Sequence, residues 1–276
     1  MLQWRDKFWV NKRGSDRPLR AAAPMRDKRL EAAIAAEDID IHFQPQIDPA
    51  SKRIVGVEAL ARWAEVTNPE ELFARAAVAG LAERLSRTIQ RKALRTVAQW
   101  DGVLGDLRLS LNVLPQDLDR CGFDSWLIAE IAGAGLDPRR ITVEIIESAL
   151  LLDRPAVANR LASLRAQGVE IAVDDFGTGY ANLLYLTSLP LDAIKIDRAM
   201  VADLVGRERD RIVVKAMILM ARELGLKVIV EGVESDAQLK LIAGWGVDLY
   251  QGFIGAGALD PAQLSDFVTA NHPRSD

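Results

Sequence analysis

Oxygen donors and amines are the groups this chain has available for chemistry. It holds one cysteine, Cys121, and two histidines, His42 and His272. A single thiol makes no internal disulfide or thiolate cluster, two imidazoles are too few for a histidine-rich metal site, and nothing in the sequence ties either histidine to Cys121 as a catalytic thiol would require. A metal ion here would have to be held by oxygen, which favours magnesium, manganese or calcium. The polar residues that draw notice fall late in otherwise apolar runs: Glu58, Asn112, Glu144 and Glu147, Asp174 and Asp175, Lys195 and Asp197, Glu231 and Glu234, and Gln251. Any one of these has an ordinary explanation as a helix cap or a surface ion-pair partner. Together they form a ring of carboxylates that would be too costly to bury unless cations neutralise it. Carboxylates, an Asn carbonyl and one lysine describe a hard-cation site with room for two metals, the chemistry of water activation and in-line phosphoryl displacement. Lys195, inside the apolar run IKID, would hold that water or offset phosphate charge.

The elements that must position these residues repeat along the chain. From residue 39 onward the runs IDIHFQPQI, RIVGVEALARW, LRLSLNV, ITVEIIES, VEIAVDDF, AIKID, KVIVEGV and DLYQGFI alternate with helix-like stretches. Those stretches are Glu70–Trp100, Asp124–Ala134, Ala156–Gln167, Arg207–Leu224 and Asp236–Trp245, several of them ending at a glycine (Gly168, Gly225, Gly246). Eight such runs predict an α/β fold, a (β/α)8 TIM-type barrel rather than an open sheet. The link Asp48–Lys52 is too short for a crossover helix, so the first two runs are expected to pair antiparallel, which modifies the barrel. The segment RDKRLEAAIAAED is expected to lead into the first strand as a helix. Barrel chemistry sits at the carboxyl ends of the strands, where the polar residues lie. Alternation makes Glu144 and Glu147 face opposite ways, and does the same for Asp174 and Asp175 unless the strand is already turning, as the glycines of DDFGTGY suggest.

The length of 276 residues suits one large domain, or one domain with a tail. Hydrophobic residues at 49% and charged residues at 27% exclude collagen-like and largely disordered classes. Residues 1–29 hold nine Lys/Arg against three Asp, a net +6 that leaves −10 for the remainder of a chain of net charge −4. The reading is therefore a basic tail over 1–26, a barrel domain over 27–270 and a short tail over 271–276. Trp4, Phe8 and Trp9 among the basic residues could touch a membrane surface, nucleic acid or a partner protein. Gly14 and Pro18 interrupt any helical stripe, so a mobile arm is the preferred reading. The acidic body has no helix-turn-helix or finger spacing, so no DNA partner is expected. No apolar run approaches the roughly 20 residues of a membrane span and no secretory stretch opens the chain, so no transmembrane segment is expected and the cytoplasm is the expected compartment.

The motifs VEALARW, DDFGTGY, LPLDAIKID, VIVEGVE and YQGF, in that order, resemble the EAL-domain family of cyclic di-GMP phosphodiesterases, over roughly residues 27–270. The resemblance implies a modified (β/α)8 barrel with an antiparallel first strand. It also implies hydrolysis of cyclic di-GMP to linear pGpG with Mg2+ or Mn2+, two ions being expected. By the same resemblance Glu58, Asn112, Glu144, Asp174, Asp175 and Glu231 are metal ligands. Glu58, Lys195 and Glu231 are catalytic, Lys195 contacting the hydrolytic water. Gln251 lies beside the reaction centre, Gln44 and Arg62 contact guanine and phosphate, and Leu60 is an apolar wall. Glu147 anchors the DDFGTGY loop, which in this family couples metal binding to dimerisation, so a homodimer is expected. The chain departs from the usual family pattern at Ile146 in EIIES, at Ala181-Asn182 after Tyr180, at Leu114 after Asn112-Val113, in a shortened segment after ALARW, and in GFIGAGALD, which lacks the proline expected after the eighth strand. The alternatives are a catalytically silent cyclic di-GMP receptor or scaffold, and a barrel enzyme that abstracts a proton with Lys195; the motif order argues against the latter. With no diguanylate-cyclase signature, control is expected from expression, a separate regulatory partner, dimerisation or the basic tail.

Overall fold

The computed structural model describes residues 26–147, 154–177 and 184–271. Eight strands close into one barrel in chain order. These are β1 (Asp40–Ile47), β2 (Ile54–Arg62), β3 (Arg108–Val113), β4 (Ile141–Ile146), β5 (Glu170–Phe176), β6 (Ala193–Ile196), β7 (Lys227–Val230) and β8 (Leu249–Tyr250). β1 runs antiparallel to both β2 and β8, while the remaining neighbours are parallel. The reversal follows from the short link: Asp48 Oδ1 accepts from the backbone N–H of Ala50 (2.8 Å) and Ser51 (3.3 Å), and Lys52 takes a left-handed φ of 62°, closing a tight turn. This is the modified barrel read from the sequence.

The helices that matter for the site are α1 (Lys28–Ala35), α2 (Pro69–Val78), α3 (Ala82–Val97), α6 (Phe123–Gly133), α7 (Arg154–Ala166), α10 (Glu208–Glu223) and α11 (Asp236–Gly244), with short helices α4 (Gly102–Gly105), α5 (Pro115–Asp119), α8 (Leu184–Ser188) and α9 (Arg198–Val201) between them and α12 (Pro261–Asn271) last. The stretch Glu70–Trp100, expected as one helical segment, is two helices. Asn68 caps the first, accepting from Glu71 N (2.8 Å), and Gly80 at φ 69° breaks the run between α2 and α3. Gly168, Gly225 and Gly246 follow the last turns of α7, α10 and α11 with positive φ, as expected of C-terminal stops.

Alternation along the strands divides the protein into two interiors. Residues on the outer faces, such as Phe43, Val57, Leu109, Val143, Ile171, Ile194 and Val228, are fully buried beneath the helices. Each such side chain stabilises the fold by about 1.5–3 kcal/mol relative to exposure, and Phe43 also meets Trp100 edge-on at 4.9 Å. The inner faces are polar: Gln46, Glu58, Ser110, Thr142, Glu144, Lys195 and Gln251 are all buried. The apolar shell between barrel and helices holds the fold, leaving the barrel interior free for a charged cluster.

Among the described residues no helix is long and apolar enough to cross a membrane. The basic tail of residues 1–25, with Trp4, Phe8 and Trp9, and residues 272–276 lie outside the described residues, as do residues 178–183 of the DDFGTGY loop.

Candidate active site

Lys195 is the centre of the site. It stands in a strand whose four residues are all buried, and its side chain is 0% exposed. The ammonium meets four carboxylates: Glu144 Oε2 and Glu231 Oε1 at 2.6 Å, Glu58 Oε2 at 3.2 Å and Asp174 Oδ1 at 3.3 Å. They come from β2, β4, β5 and the end of β7, so the barrel brings together residues up to 173 positions apart (Glu58 to Glu231).

Two amides complete the ring. Asn112 Nδ2 donates to Glu58 Oε1 (2.7 Å), and Gln251 Nε2 donates to Glu58 Oε2 (2.7 Å) and Glu231 Oε1 (3.3 Å). Behind Asn112, Gln90 of α3 donates to its backbone carbonyl (3.1 Å) and to Ser86 (3.1 Å), which in turn donates to buried Asp117 (2.5 Å). A helix thus fixes the height of β3 at the mouth.

The carboxylates are not equivalent. Burial first, and then the negative charge of Glu58, pushes Glu144 up to about 8. Burial likewise raises Asp174 and Glu231 above the ordinary carboxylate range, against the pull of Lys195. Glu58 goes the other way: burial would raise it, but Lys195, Gln251 and Asn112 together hold it below its usual value. Burial would lower Lys195, yet Asp174, Glu144, Glu231 and Glu58 keep it firmly protonated. With every carboxylate ionised, one ammonium faces four negative charges, an excess of three. That excess is the electrostatic signature of a cation site.

The donor chemistry fits a hard divalent cation. Ligand oxygens of Glu58, Glu144 and Asp174 all lie within 4.8 Å of one another, and carboxylate and amide oxygens with no nitrogen or sulfur ligand among them suit Mg2+ or Mn2+.

Asp174 and Asp175 illustrate how local backbone departs from simple alternation. Val173 pairs with Ile194 and Phe176 with Ile196, so β5 spends three steps where β6 spends two. The extra residue is a β-bulge, and Asp175 occupies it with a left-handed φ of 57°. Asp174 faces inward to Lys195 by regular alternation from Ala172, while the bulge leaves Asp175 exposed at the rim, its backbone N–H bonded to Asp174 Oδ1 (2.9 Å). Partial desolvation of its carboxyl against the barrel rim, then the charges of Asp174 and Asp197, push Asp175 up to about 7.

The other sequence-predicted residues fall around this centre. On β2, Glu58, Leu60 and Arg62 share one face, paired across β1 with Gln44, His42 and Asp40. Leu60, Arg62 and Gln44 are half-buried; Gln44 donates to the Ala256 carbonyl (3.3 Å) and Arg62 to that of Ala61 (2.8 Å). Burial lowers the Arg62 guanidinium from its ordinary value, with Glu70 and Glu58 acting against that shift. Glu147 is buried immediately after β4. Glu234 is exposed and outside the cluster, and Asp197 caps α9 through Ala199 N (2.8 Å), the ordinary explanation given for such residues.

Sequence reading passed over Gln46, which is buried at the heart of the barrel and donates to Ser110, Glu144 and Gln251. Its signal was the spacing Gln44-Pro45-Gln46, which puts both amides on one face of β1. Gly252, just after Gln251, has φ 152°, and a Cβ there would run into the Val233 backbone. Its missing side chain lets Val233 N donate to the Gln251 carbonyl (3.2 Å), holding Gln251 over the cluster.

A closed eight-stranded barrel with a reversed first strand and a carboxylate–lysine cluster at its carboxyl end defines a metal-site barrel protein. Comparison with known proteins gives the family: the EAL domain matches residues 27–257, and the chain belongs to the EAL domain family. It is 36% identical over 244 residues to the cyclic di-GMP phosphodiesterase PA2567 of Pseudomonas aeruginosa, covering 87% of this chain and 42% of that protein. With the cyclic di-GMP phosphodiesterase NbdA of the same organism it shares 32% identity, covering 88% of this chain and 32% of the relative. The chain therefore spans less than half the length of these curated relatives. Among solved structures it resembles the PaMucR phosphodiesterase in complex with c-di-GMP, with TM-score 0.80 and 30% identity over 86% of this chain and 98% of that one. It also resembles BlrP1 of Klebsiella pneumoniae in a manganese and cyclic di-GMP complex, with TM-score 0.73 and 30% identity over 80% of this chain and 56% of that one.

Proposed function

We propose that this chain hydrolyses cyclic di-GMP to linear pGpG, with two Mg2+ or Mn2+ ions held by Glu58, Asn112, Glu144, Asp174, Asp175 and Glu231. The observation that carries the reading is the excess of buried carboxylates around Lys195. The likeness to relatives named as cyclic di-GMP phosphodiesterases supports the substrate. Bound ions of this kind lower the pKa of a coordinated water and stabilise charge on the phosphoryl oxygens.

The chain's own residues do the rest. Lys195, fixed by its buried partners, orients the attacking water and offsets charge on the phosphate. Water oxygen bonds to phosphorus as the bond to the ribose 3′ oxygen breaks, so one phosphodiester opens and the product keeps a 5′ phosphate. Gln251 positions the reacting groups, Arg62 offers its planar fork to the phosphate, Gln44 meets guanine and Leu60 walls the base. In this reading Glu147 anchors the loop that follows β5. The exposed Ile212 (60%), Val213 (46%) and Leu219 (47%) on α10 support a homodimer. The catalytic unit is the barrel of residues 27–270, flanked by tails over 1–26 and 271–276, and a separate partner supplies regulation.

Chromatography of products tests this. Cyclic di-GMP incubated with the protein in excess Mg2+ or Mn2+ is expected to yield pGpG, and none in EDTA. Intact substrate in both metals would refute the enzyme and favour a silent receptor, a reading to which Ile146, paired with Asp174 across β4 and β5, lends some support.

A further inference from the structure

The floor of the barrel is built from a residue to which none of the expected roles applies. Gln46 is 3% exposed and ends the polar face of β1. Its Nε2 faces three acceptors from three other strands or their ends: Ser110 Oγ at 3.2 Å, Gln251 Oε1 at 3.3 Å and Glu144 Oε1 at 3.4 Å. An amide nitrogen has only two hydrogens, so these bonds are shared, and the geometry fixes which end of the amide points up. The same reasoning fixes Gln251. Its Nε2 must face the ionised Glu58 carboxylate and also donates to Glu231 Oε1, which turns its Oε1 down onto Gln46.

Two further observations point to the same residue. A Cβ built on Gly56 would come within 3.0 Å of Gln46 Oε1 and 3.3 Å of the Arg108 Cβ and carbonyl oxygen, so the glycine leaves the space in which the Gln46 carbonyl lies. Below Gln46, at the amino ends of the parallel strands, lies a cavity of about 180 Å3 lined also by Gly56, Arg108, Thr142, Glu170 and Lys227. Gln46 stands between this cavity and the carboxylate cluster, touching both.

We propose that Gln46 is a positioning residue that forms the floor of the active site: it orients the Gln251 amide and the Glu144 carboxylate and separates the carboxylate cluster from the basal cavity. Glu144 is then held at both oxygens, Oε2 by Lys195 and Oε1 by Gln46, which limits how it can turn toward a cation. Gln251 likewise has a neutral partner on one side and carboxylates on the other, so its position does not depend on the charge state of the cluster alone. This rests on the phosphodiesterase reading for its catalytic consequence, but its structural consequence can be measured without turnover.

The test uses Gln46→Met, which keeps the length and removes the amide, beside Gly56→Ala, which keeps every polar group and crowds the Gln46 carbonyl. In Gln46→Met, kcat for cyclic di-GMP is expected to fall by about tenfold or more with KM within about threefold of wild type. Mn2+ affinity of the metal-stripped protein is expected to weaken by about tenfold as well. Gly56→Ala is expected to move both quantities in the same direction by a smaller factor. Wild-type kcat and Mn2+ affinity in Gln46→Met would overturn the proposal. If Gln46→Met does not fold, Gly56→Ala decides: unchanged kcat and Mn2+ affinity overturn it, and a fall in both at wild-type melting temperature supports it. Should the wild type leave cyclic di-GMP intact, the functional reading fails separately, and the Mn2+ affinities of the two variants still decide the role of Gln46.

Discussion

Lys195→Met is expected to lose activity by a factor of about 1,000 or more while changing stability in a way that depends on metal. The side chain is fully buried and is the partner shared by Glu58, Glu144, Asp174 and Glu231. Methionine fills its volume without charge, so cavity formation contributes little. In the proposed mechanism the removed ammonium orients the attacking water and stabilises developing negative charge, and such groups contribute on the order of 100-fold to 10,000-fold in rate. In the metal-free protein the four carboxylates lose their common cation, and breaking a buried ionic network of this kind costs about 3–5 kcal/mol. Divalent cations return positive charge to the ring. Melting in EDTA and in Mn2+ is therefore expected to show a large difference between Lys195→Met and wild type in the first and a smaller one in the second. An equal difference in both would show that the lysine acts on stability without reference to a cation.

Glu58→Ala is expected to abolish turnover with the fold intact, the reverse balance of effects. Glu58 accepts from Asn112 and Gln251 at 2.7 Å each and from Lys195 at 3.2 Å. Its loss orphans two amide donors, which costs about 1–3 kcal/mol each. It also relieves the repulsion that Glu58 exerts on Glu144, Asp174 and Glu231, which offsets part of that cost in the metal-free protein. The two effects oppose, so net stability is expected to stay within about 2 kcal/mol of wild type. Activity has no such compensation, because in the proposed mechanism the residue is a metal ligand, and it is also the hub through which Asn112 and Gln251 are held. A fall of about 1,000-fold or more in kcat/KM is expected, checked by product chromatography on variant protein whose melting curve is near wild type. Normal turnover would remove Glu58 from the mechanism.

The strands were legible because period-two and late-polar patterns survive burial: every apolar run became one barrel strand, and the short link Asp48–Lys52 foretold the reversal of β1. What sequence spacing could not convey was local backbone detail. Strict alternation would put Asp174 and Asp175 on opposite faces; Asp174 keeps the inward place that alternation gives it, while the bulge opposite Ile194–Ile196 leaves Asp175 at the rim. Position late in a strand likewise marked Glu234 and Asp197, but the chain has already left β7 by Glu234, and Asp197 has begun a helix. Gln46 escaped notice for the opposite reason. β1 is reversed, so the end of β1 lies at the floor of the barrel and a polar residue there is early in the polar layers, not late. The grouping of Glu58, Asn112, Glu144, Asp174, Lys195, Glu231 and Gln251 was readable as strand-end chemistry; the support from Gln90, Ser86 and Gln46 required knowing which helix and which floor residue lay behind them.

Titration of Mn2+ into metal-stripped protein, following free Mn2+ by its paramagnetic resonance, asks most directly whether the carboxylate ring is a cation site. Saturable uptake by the wild type is expected, weakened by at least about 100-fold in Glu58→Ala. Folded wild-type protein that takes up no Mn2+ at about 1 mM, weak even by the standards of oxygen-ligand cation sites, would contradict the metal site and the hydrolytic function built on it.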